Sequence, residues 1–455
     1  MKTTTLRSAL PIARVLFVIL FLIISCVTGF AQQPPQSGKY YVIDYAANTD
    51  GLATPVTYTL WVPDGVKKIR AIIVHQHGAG MEAATEGQTA AYDLHWQALA
   101  KKWDCALLGP SYHVTNNAID LTPGGAEVWF DPRHGSEKTF LQCLDEFATK
   151  TGHPEVATVP WALWGHSGGG IWSDVLATMH PDRIVAIWLR SGSALMFAPK
   201  PEFLQPVVPE AVYSIPYMSN PGIKEKGKLP YDGTLNTFKT YRAHGAPIGF
   251  APDPLTAHET GDSRYLAIPW LDACLAMRLP DVNSTSQKLK PVDNSKVWLA
   301  KPESTVAVPA AQYKGKVNEA VWLPNAKVAK QWMEYVKTGS TSDITPPPAP
   351  FDVTATAGPK GRVITWNAEA DFESGIRQFI IKRDGKEIGR VAEIPFGRFG
   401  RPLFQSMTFH DTPVKPLAKM TYNDGVVTNP AEKHSYTVIS INSVGLQSKP
   451  SKPSN

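Results

Sequence analysis

The 455-residue chain has few cysteines, little net charge and, beyond residue 31, no apolar run long enough to span a membrane. Its four cysteines are too few for a disulfide framework. The formal net charge is only +5 and the basic residues are scattered, which makes nucleic acid a poor candidate partner. No glycine-rich loop followed by Lys-Ser or Lys-Thr is present, so we expect no nucleotide or other cofactor.

What the chain does contain is material for a large globular core. Hydrophobic residues make up 43% of the sequence, and 39 prolines and 13 tryptophans indicate many loops and an aromatic-rich interior or cleft. The length favours two domains over one. Three cysteines, Cys105, Cys143 and Cys274, lie in predicted core elements, and we expect them to be buried.

The first 31 residues have the pattern of a secretory signal peptide. Basic residues precede an apolar run over residues 15–24, and the small residues Gly29 and Ala31 stand where a cleavage site requires them. We therefore expect a secreted, periplasmic or cell-surface protein. Cys26 follows Ile-Ile-Ser as in a bacterial lipoprotein box, so a lipid anchor at Cys26 remains an alternative.

The next part of the chain alternates short apolar runs with helical segments. Runs bounded by turn residues read as buried parallel strands, and the helical segments read as crossovers between them. Such an alternation predicts an α/β fold with a doubly wound, mostly parallel sheet. The predicted strands are 39–45, 57–62, 70–75, 106–108, 159–164 and 185–189, and the predicted helices are 90–102, 138–151, 170–179 and 326–337.

The chain then changes character at a Pro-rich stretch. We expect a catalytic domain over 32–340, with residues 279–325 as an irregular elaboration, and a stiff linker over 341–350. From 351 to 455 the pattern is short strands only, which predicts an all-β, immunoglobulin-like sandwich.

Within the sandwich, Asp384-Gly385 predicts a tight hairpin turn. Trp366 and Tyr436 stand where fibronectin type III domains keep core aromatics, and the region resembles that family. An insertion is expected over residues 395–432.

The strongest chemical signal is Gly165-His166-Ser167-Gly168-Gly169 between a predicted strand and a predicted helix. A serine in a sharp strand-to-helix turn projects its hydroxyl above the sheet, and flanking glycines permit the close backbone approach. This motif, in this context, resembles the nucleophile elbow of the α/β-hydrolases, and the resemblance covers residues 57–279. It implies that Ser167 is a nucleophile.

The resemblance also implies a chain order of serine, acid and histidine. His258, in Ala257-His258-Glu259 after a predicted strand, is the expected base. Glu225 stands where many of these enzymes keep an aspartate, and it is the expected acid, with Asp232 left open as the alternative.

Two further features complete the expected site. The tetrahedral oxyanion needs two amide donors, and the resemblance implies Gly168 and, in the loop His77-Gly78-Ala79-Gly80, Ala79. Trp129, Phe130 and His134 lie in a loop that opens toward the cleft in this topology, so they either contact substrate or pack the loop.

The expected function is hydrolysis of a carboxylic ester, with an extracellular polymer such as a polysaccharide as the substrate class that the appended sandwich favours. Serine peptidases share the fold and remain an alternative. A secreted binding protein that has lost activity is the alternative from another class. A metal-dependent hydrolase using His75 and His77 is a third, although no supporting ligand set is apparent.

Overall fold

The structure is a computed structural model that describes residues 37–48, 52–80, 87, 89–114, 128–197, 206–282, 284, 288–391, 420–429 and 431–454. These residues belong to one compact unit, 34–455. The predicted leader with Cys26, and most of the predicted insertion in the sandwich, lie outside the described residues. Within the described part of the chain, no helix is both long and apolar enough to cross a membrane.

An eight-stranded sheet in the order β1-β2-β4-β3-β5-β6-β7-β8 forms the centre of the first region. Strands β1 and β2 pair antiparallel with each other, β2 pairs antiparallel with β4, and the remaining neighbours are parallel. This order confirms the expected α/β-hydrolase fold. The strands are β1 (Gly38–Tyr45), β2 (Val56–Pro63), β3 (Ile72–Gln76), β4 (Ala106–Tyr112), β5 (Trp161–His166), β6 (Ile184–Arg190), β7 (Tyr217–Asn220) and β8 (Ile248–Phe250).

Helices cover the sheet, and every residue of β3, β5 and β6 is buried. Parallel strands covered on both faces need apolar side chains on both, which explains why these runs do not alternate with polar residues. The helices are α1 (Leu94–Lys102), α2 (Ser136–Thr151), α3 (Gly168–Met179), α4 (Leu229–Ala243), α5 (Arg264–Arg278) and α6 (Ala326–Thr338).

Strand β4 is longer than the sequence predicted. The predicted strand covers residues 106–108 and stops before the turn-like pair Gly109-Pro110, whereas the observed strand continues to Tyr112 along β2. Within β4, only residues 106–108 pair with β3, so this parallel ladder ends before the proline. A proline is tolerated there because it interrupts no ladder bond with β3.

The irregular elaboration contains a small sheet that its sequence did not predict. Three strands of three residues each pair antiparallel in the order β10-β9-β11: β9 (Trp298–Ala300), β10 (Ala307–Pro309) and β11 (Val321–Leu323). Such short strands give no readable period. Helix α6 follows, with Asn325 capping its first turn and Gly339 ending it at φ 76°.

The last region forms two three-stranded antiparallel sheets, β12-β13-β16 and β15-β14-β17. Trp366 and Tyr436 are buried in one apolar cluster, as expected. Asp384 and Gly385 both have positive φ, which matches the predicted hairpin turn. The likeness to fibronectin type III domains stays a prediction. The strands are β12 (Phe351–Gly358), β13 (Gly361–Asn367), β14 (Gln378–Arg383), β15 (Lys386–Val391), β16 (Thr421–Asp424) and β17 (Tyr436–Ile441).

The sandwich packs directly on helix α1 of the first region. Leu94 belongs to the buried apolar cluster of the sandwich, and His95 Nε2 lies 2.8 Å from the carbonyl oxygen of Phe372. Lys102 Nζ lies 4.4 Å from the centre of the Phe372 ring. The predicted linker, 341–350, contains no helix or strand. The division into domains at these boundaries stays a prediction.

The three cysteines of the described region are free and buried, as expected. Burial raises the pKa of each thiol. A buried thiol of raised pKa carries little thiolate at neutral pH and behaves as a small apolar side chain.

Candidate active site

Ser167 occupies the turn between β5 and α3 in a strained conformation, with φ 53° and ψ −116°. Its amide donates to the carbonyl oxygen of Arg190 at 2.7 Å, which ties the turn to the end of β6. A non-glycine residue at positive φ is costly, and such strain concentrates at functional sites. The turn aims the Ser167 side chain at the carboxyl edge of the sheet.

The glycines of the motif permit two close backbone approaches. A Cβ on Gly165 would collide with the carbonyl oxygen of Gly169, and one on Gly169 would collide with the carbonyl oxygens of Gln76 and His77. A larger residue at Gly165 would therefore open the serine turn itself, and one at Gly169 would push the turn away from the end of β3. This is the role that the sequence predicted for the two glycines.

His258 and Glu225 meet the serine hydroxyl in one hydrogen-bonded series. His258 Nε2 lies 2.9 Å from Ser167 Oγ, and His258 Nδ1 lies 2.9 Å from Glu225 Oε1. The histidine follows β8 and the glutamate follows β7, so both arrive at the same sheet edge as the serine. Three residues spread over more than 90 positions of sequence therefore come together as an imidazole flanked by a hydroxyl and a carboxylate, an arrangement that can perform nucleophilic catalysis.

The structure places Glu225, rather than Asp232, beside the histidine. Glu225 is 5% exposed, while Asp232 lies in the first turn of α4, where it accepts from the amide of Gly227 at 3.2 Å. A carboxylate at this position accepts from Nδ1–H of the imidazole and so fixes the orientation of the ring.

The two expected amide donors also adjoin. A Cβ built on Gly168 would lie 3.2 Å from the amide nitrogen of Ala79. The loop that carries Ala79 is held by His77, whose Nε2 accepts from the amide of Tyr112 at 3.0 Å. Gly168 is the first residue of α3, so its amide is one of those that a helix leaves without an internal acceptor.

The aromatic loop residues differ in exposure. Trp129 is 2% exposed and stacks on Tyr112 with ring centres 4.3 Å apart, and Phe130 is 5% exposed. Of the two roles open to them, their burial favours loop packing, and contact with substrate stays a prediction. His134 is the more accessible of the set, and its Nε2 lies 3.7 Å from Asp131.

Sequence reasoning missed two residues that hold the histidine loop. His166, between the motif's first glycine and its serine, is 3% exposed, and its Nε2–H donates to the carbonyl oxygen of His258 at 2.8 Å. His166 occupies a variable position of the Gly-x-Ser-x-Gly motif, and the motif does not specify which residue stands there.

The second is Arg190, the fully buried last residue of β6. Its guanidinium donates to Asn220 O at 2.9 Å, to Thr256 Oγ1 at 2.7 Å and to the carbonyl oxygens of Ala257 and Glu259. One cation thus joins the end of β6, the end of β7 and both sides of His258. An arginine at the end of an apolar strand is the signal that could have found it.

Other histidines lie elsewhere. His180 Nε2 lies 2.7 Å from Glu137, and His244 stacks on Tyr213. His75 stacks on Trp164 with ring centres 4.1 Å apart, whereas His77 reaches toward β4. Their separate contacts give no support to the His75–His77 metal alternative.

Among the described residues, one cluster of three side chains has metal-ligand spacing: Asp343, Asp371 and Glu373. Burial raises the pKa of Asp371 to about 7, and the amide of Asn442 donates to both Asp343 and Asp371. The cluster lies between the linker and the sandwich and contains none of the residues of the serine site.

The strand order, the serine turn and the site at the carboxyl edge define a chain with the α/β-hydrolase fold. No family model and no curated protein matches it. Solved structures similar to this chain include the LpqC poly(3-hydroxybutyrate) depolymerase from Bordetella parapertussis, with 16% identity, TM-score 0.38, and coverage of 54% of this chain and 92% of that one.

A ferulic acid esterase is similar at 16% identity and TM-score 0.35, covering 50% of this chain and 93% of that one. A dienelactone hydrolase from Anabaena variabilis is similar at 15% identity and TM-score 0.34, covering 54% of this chain and 100% of that one. Because these identities and TM-scores are low, the function of this chain must follow from its own residues.

Proposed function

We propose that the protein is a serine hydrolase that cleaves carboxylic esters through an acyl-enzyme on Ser167. The observation that carries the proposal is the hydrogen-bonded series from Ser167 through His258 to Glu225, with 2.9 Å at each step. A neutral imidazole can accept a proton at one nitrogen only. The Glu225 carboxylate accepts from Nδ1–H and so favours the tautomer in which Nε2 is unprotonated and can accept the proton of Ser167.

The first half of the reaction forms the acyl-enzyme. Ser167 Oγ attacks the ester carbonyl carbon while His258 Nε2 takes its proton, and the electron pair of the carbonyl moves onto oxygen. The amides of Gly168 and Ala79 donate to that oxyanion. Glu225 stabilises the imidazolium. When the tetrahedral intermediate collapses, the alcohol leaves with the proton from His258.

The second half releases the acid. His258 takes a proton from a water molecule as the water oxygen attacks the acyl carbon, and the same two amides stabilise the second oxyanion. The bond to Ser167 Oγ then breaks, and the serine recovers its proton from His258. The site returns to its original protonation state.

We further propose that the enzyme works outside the cytoplasm on an ester of an extracellular polymer such as a polysaccharide. The leader pattern of residues 1–31 supports export. The sandwich packs on α1 through Leu94 and the His95–Phe372 contact, which supports a module held in fixed relation to the catalytic region, as suits a bulky substrate.

The test compares three purified proteins in buffer with a chelator: the mature chain, Ser167→Ala and Ser219→Ala. Ser219 is a matched control because its hydroxyl is buried on β7 and has no hydrogen-bond partner in the described structure. We expect the parent and Ser219→Ala to hydrolyse p-nitrophenyl acetate alike. Ser167→Ala should lose about 10³-fold or more in kcat.

Mass spectrometry after rapid quenching adds a direct readout, since one acetyl group should appear on the parent and none on Ser167→Ala. Equal activity in the parent and Ser167→Ala would remove the serine from the mechanism. Lack of activity in all three, across a panel of short, aryl and polysaccharide esters, would favour the binding-protein alternative. Turnover that the chelator abolishes would favour a metal-dependent reaction.

A further inference from the structure

A cavity of about 990 Å³ lies at the amino edge of the sheet, opposite the serine site. Asp182, Ser214 and Pro247 line it, and they come directly before β6, β7 and β8. In parallel strands the two ends of each strand lie at opposite edges, and Ser167, Glu225 and His258 follow the carboxyl ends. The cavity is therefore separate from the serine site.

Two nearly buried arginines line this cavity. Arg242, near the end of α4, is 5% exposed, and Arg278, the last residue of α5, is 6% exposed. Arg242 Nε donates to Ala320 O at 2.8 Å and its Nη1 to Ala246 O at 2.7 Å. Arg278 Nη1 donates to Lys290 O.

These bonds leave part of each guanidinium without a protein acceptor. Within the described residues, neither Nη2 group donates to the protein, and Nε of Arg278 is buried and unpartnered. The guanidinium of Arg190, which is also buried, instead donates hydrogen bonds to four surrounding residues. The buried Nε of Arg278 carries a desolvation cost, whereas the two Nη2 groups are open to water or to a ligand in the cavity.

The charge of the cavity points to an anion. No carboxylate of the described residues forms an ion pair with Arg242 or Arg278. Lys288 adds a third cation to the lining, and Asp182 is its one carboxylate, at an exposed position. Burial lowers the pKa of both arginines, because water no longer solvates their charge.

The remaining walls are largely apolar. They include the ring of Tyr213 and side chains from the β9 to β11 sheet and the segment before it. A ligand that fits must therefore carry an apolar body beside its negative charge. The apolar lining includes Leu289, Pro291, Val292, Val297, Leu299 and Trp322.

We propose that this cavity is a second binding site, for a small organic carboxylate whose oxygens accept from the Nη2 groups of Arg242 and Arg278. Planar guanidinium groups match carboxylate geometry, and charge-assisted hydrogen bonds of this kind are the strong ones. The proposal does not depend on the esterase reaction, since no residue of the cavity belongs to the serine site.

The test measures binding of benzoate to the mature chain by isothermal titration calorimetry. Benzamide, which keeps the ring but lacks the charge, and inorganic phosphate, which has charge but no apolar body, are the comparison probes. We expect saturable binding of benzoate and at least about tenfold weaker binding of both others.

Three variants locate the bound benzoate. Arg278→Met should weaken it about tenfold or more, and Arg390→Met, which removes an equal charge in the sandwich, should leave it unchanged. Arg242→Lys keeps the charge near the Ala320 carbonyl, so it guards against loss of the fold, and should weaken binding by several-fold.

Several results would overturn the proposal: no saturable benzoate binding, equal binding of benzamide, tighter binding of phosphate, or full affinity in Arg278→Met with unchanged circular dichroism. Full affinity in folded Arg278→Met would place the bound benzoate outside this cavity.

Discussion

Both edges of the eight-stranded sheet contain buried arginines, but the hydrogen-bond donors of these arginines are paired to different extents. At the carboxyl edge, Arg190 is fully buried and donates to the chain on both sides of His258. At the amino edge, Arg242 and Arg278 keep donors that no described residue accepts. A buried guanidinium whose donors all bind protein acceptors holds the surrounding backbone in place. One with unpaired donors can instead bind a ligand.

This difference suits the chemistry that we propose for each edge. General base catalysis needs the imidazole within hydrogen-bond reach of the hydroxyl, so displacements of a fraction of an ångström matter. Arg190 and His166 meet that need by holding the backbone around His258. A binding cavity does not need all of its donors to be paired within the protein. A ligand that binds the folded state stabilises it.

The largest expected effect is the loss of activity when Glu225, at the carboxyl edge, is replaced. Glu225→Gln removes the charge that stabilises the imidazolium, and kcat/KM for p-nitrophenyl acetate should fall by about 10² to 10⁴. Asp232→Asn is the matched control and should stay within about twofold, since Asp232 contacts Gly227 and not His258. The reverse ranking would assign the acid to Asp232.

A second, smaller effect compares the two kinds of arginine. Arg190→Met leaves several buried carbonyls without a donor and should lower the free energy of unfolding by about 3 kcal/mol or more. Arg278→Met, which removes an uncompensated charge, should change it by less than about 1 kcal/mol. Urea denaturation of both variants gives the two values, and equal losses would erase the contrast between the edges.

Activity separates positioning by Arg190 from a purely structural role. Arg190→Met should lower kcat about tenfold to a hundredfold and shift the pH–rate profile of the surviving folded enzyme, because the His258 loop moves. Arg190→Lys should recover part of the stability and little of kcat, because an ammonium cannot reproduce the planar fork. A normal kcat and pH profile in folded Arg190→Met would leave the residue a structural role only.

The smallest effect concerns a buried carboxylate near the middle of the fold. Burial raises the pKa of Asp174 to about 6, although it accepts from the amide of Ala194 and the hydroxyl of Tyr241. Since the folded pKa exceeds the unfolded one, the folded state holds the proton more tightly. The free energy of unfolding should therefore fall as pH rises from about 4 to about 6, by up to roughly 3 kcal/mol.

Asp174→Asn provides the comparison, because asparagine does not titrate in this range. Urea denaturation at several pH values should show that the difference between parent and variant changes across the window and is flat above it. A constant difference from pH 4 to pH 7 would mean that the Asp174 pKa is not raised.

Much of this was readable from local sequence. Apolar runs such as Arg70–His75 and Val185–Leu189 predicted buried strands because parallel strands covered on both faces must be apolar throughout. The serine motif predicted its own turn, since only glycine fits where Gly165 and Gly169 meet neighbouring backbone.

Other elements could not be predicted from the sequence, because their local signals are weak or misleading. The three-residue strands β9 to β11 are too short for a period, and Pro110 marked a turn where the strand in fact continues. Helices α4 and α5 each begin or continue through a proline, Pro230 and Pro269, which hid their helical pattern.

By itself, the sequence determined the fold class, the serine turn, the choice of His258 and the candidates for the acid, because each depends on residues close together in the chain. Only the tertiary structure decided that Glu225 reaches the histidine, that Trp129 is buried, and that Arg190 donates where Arg242 does not. Those outcomes depend on distances between segments that are remote in sequence, and side-chain hydrogen bonds are set by such distances.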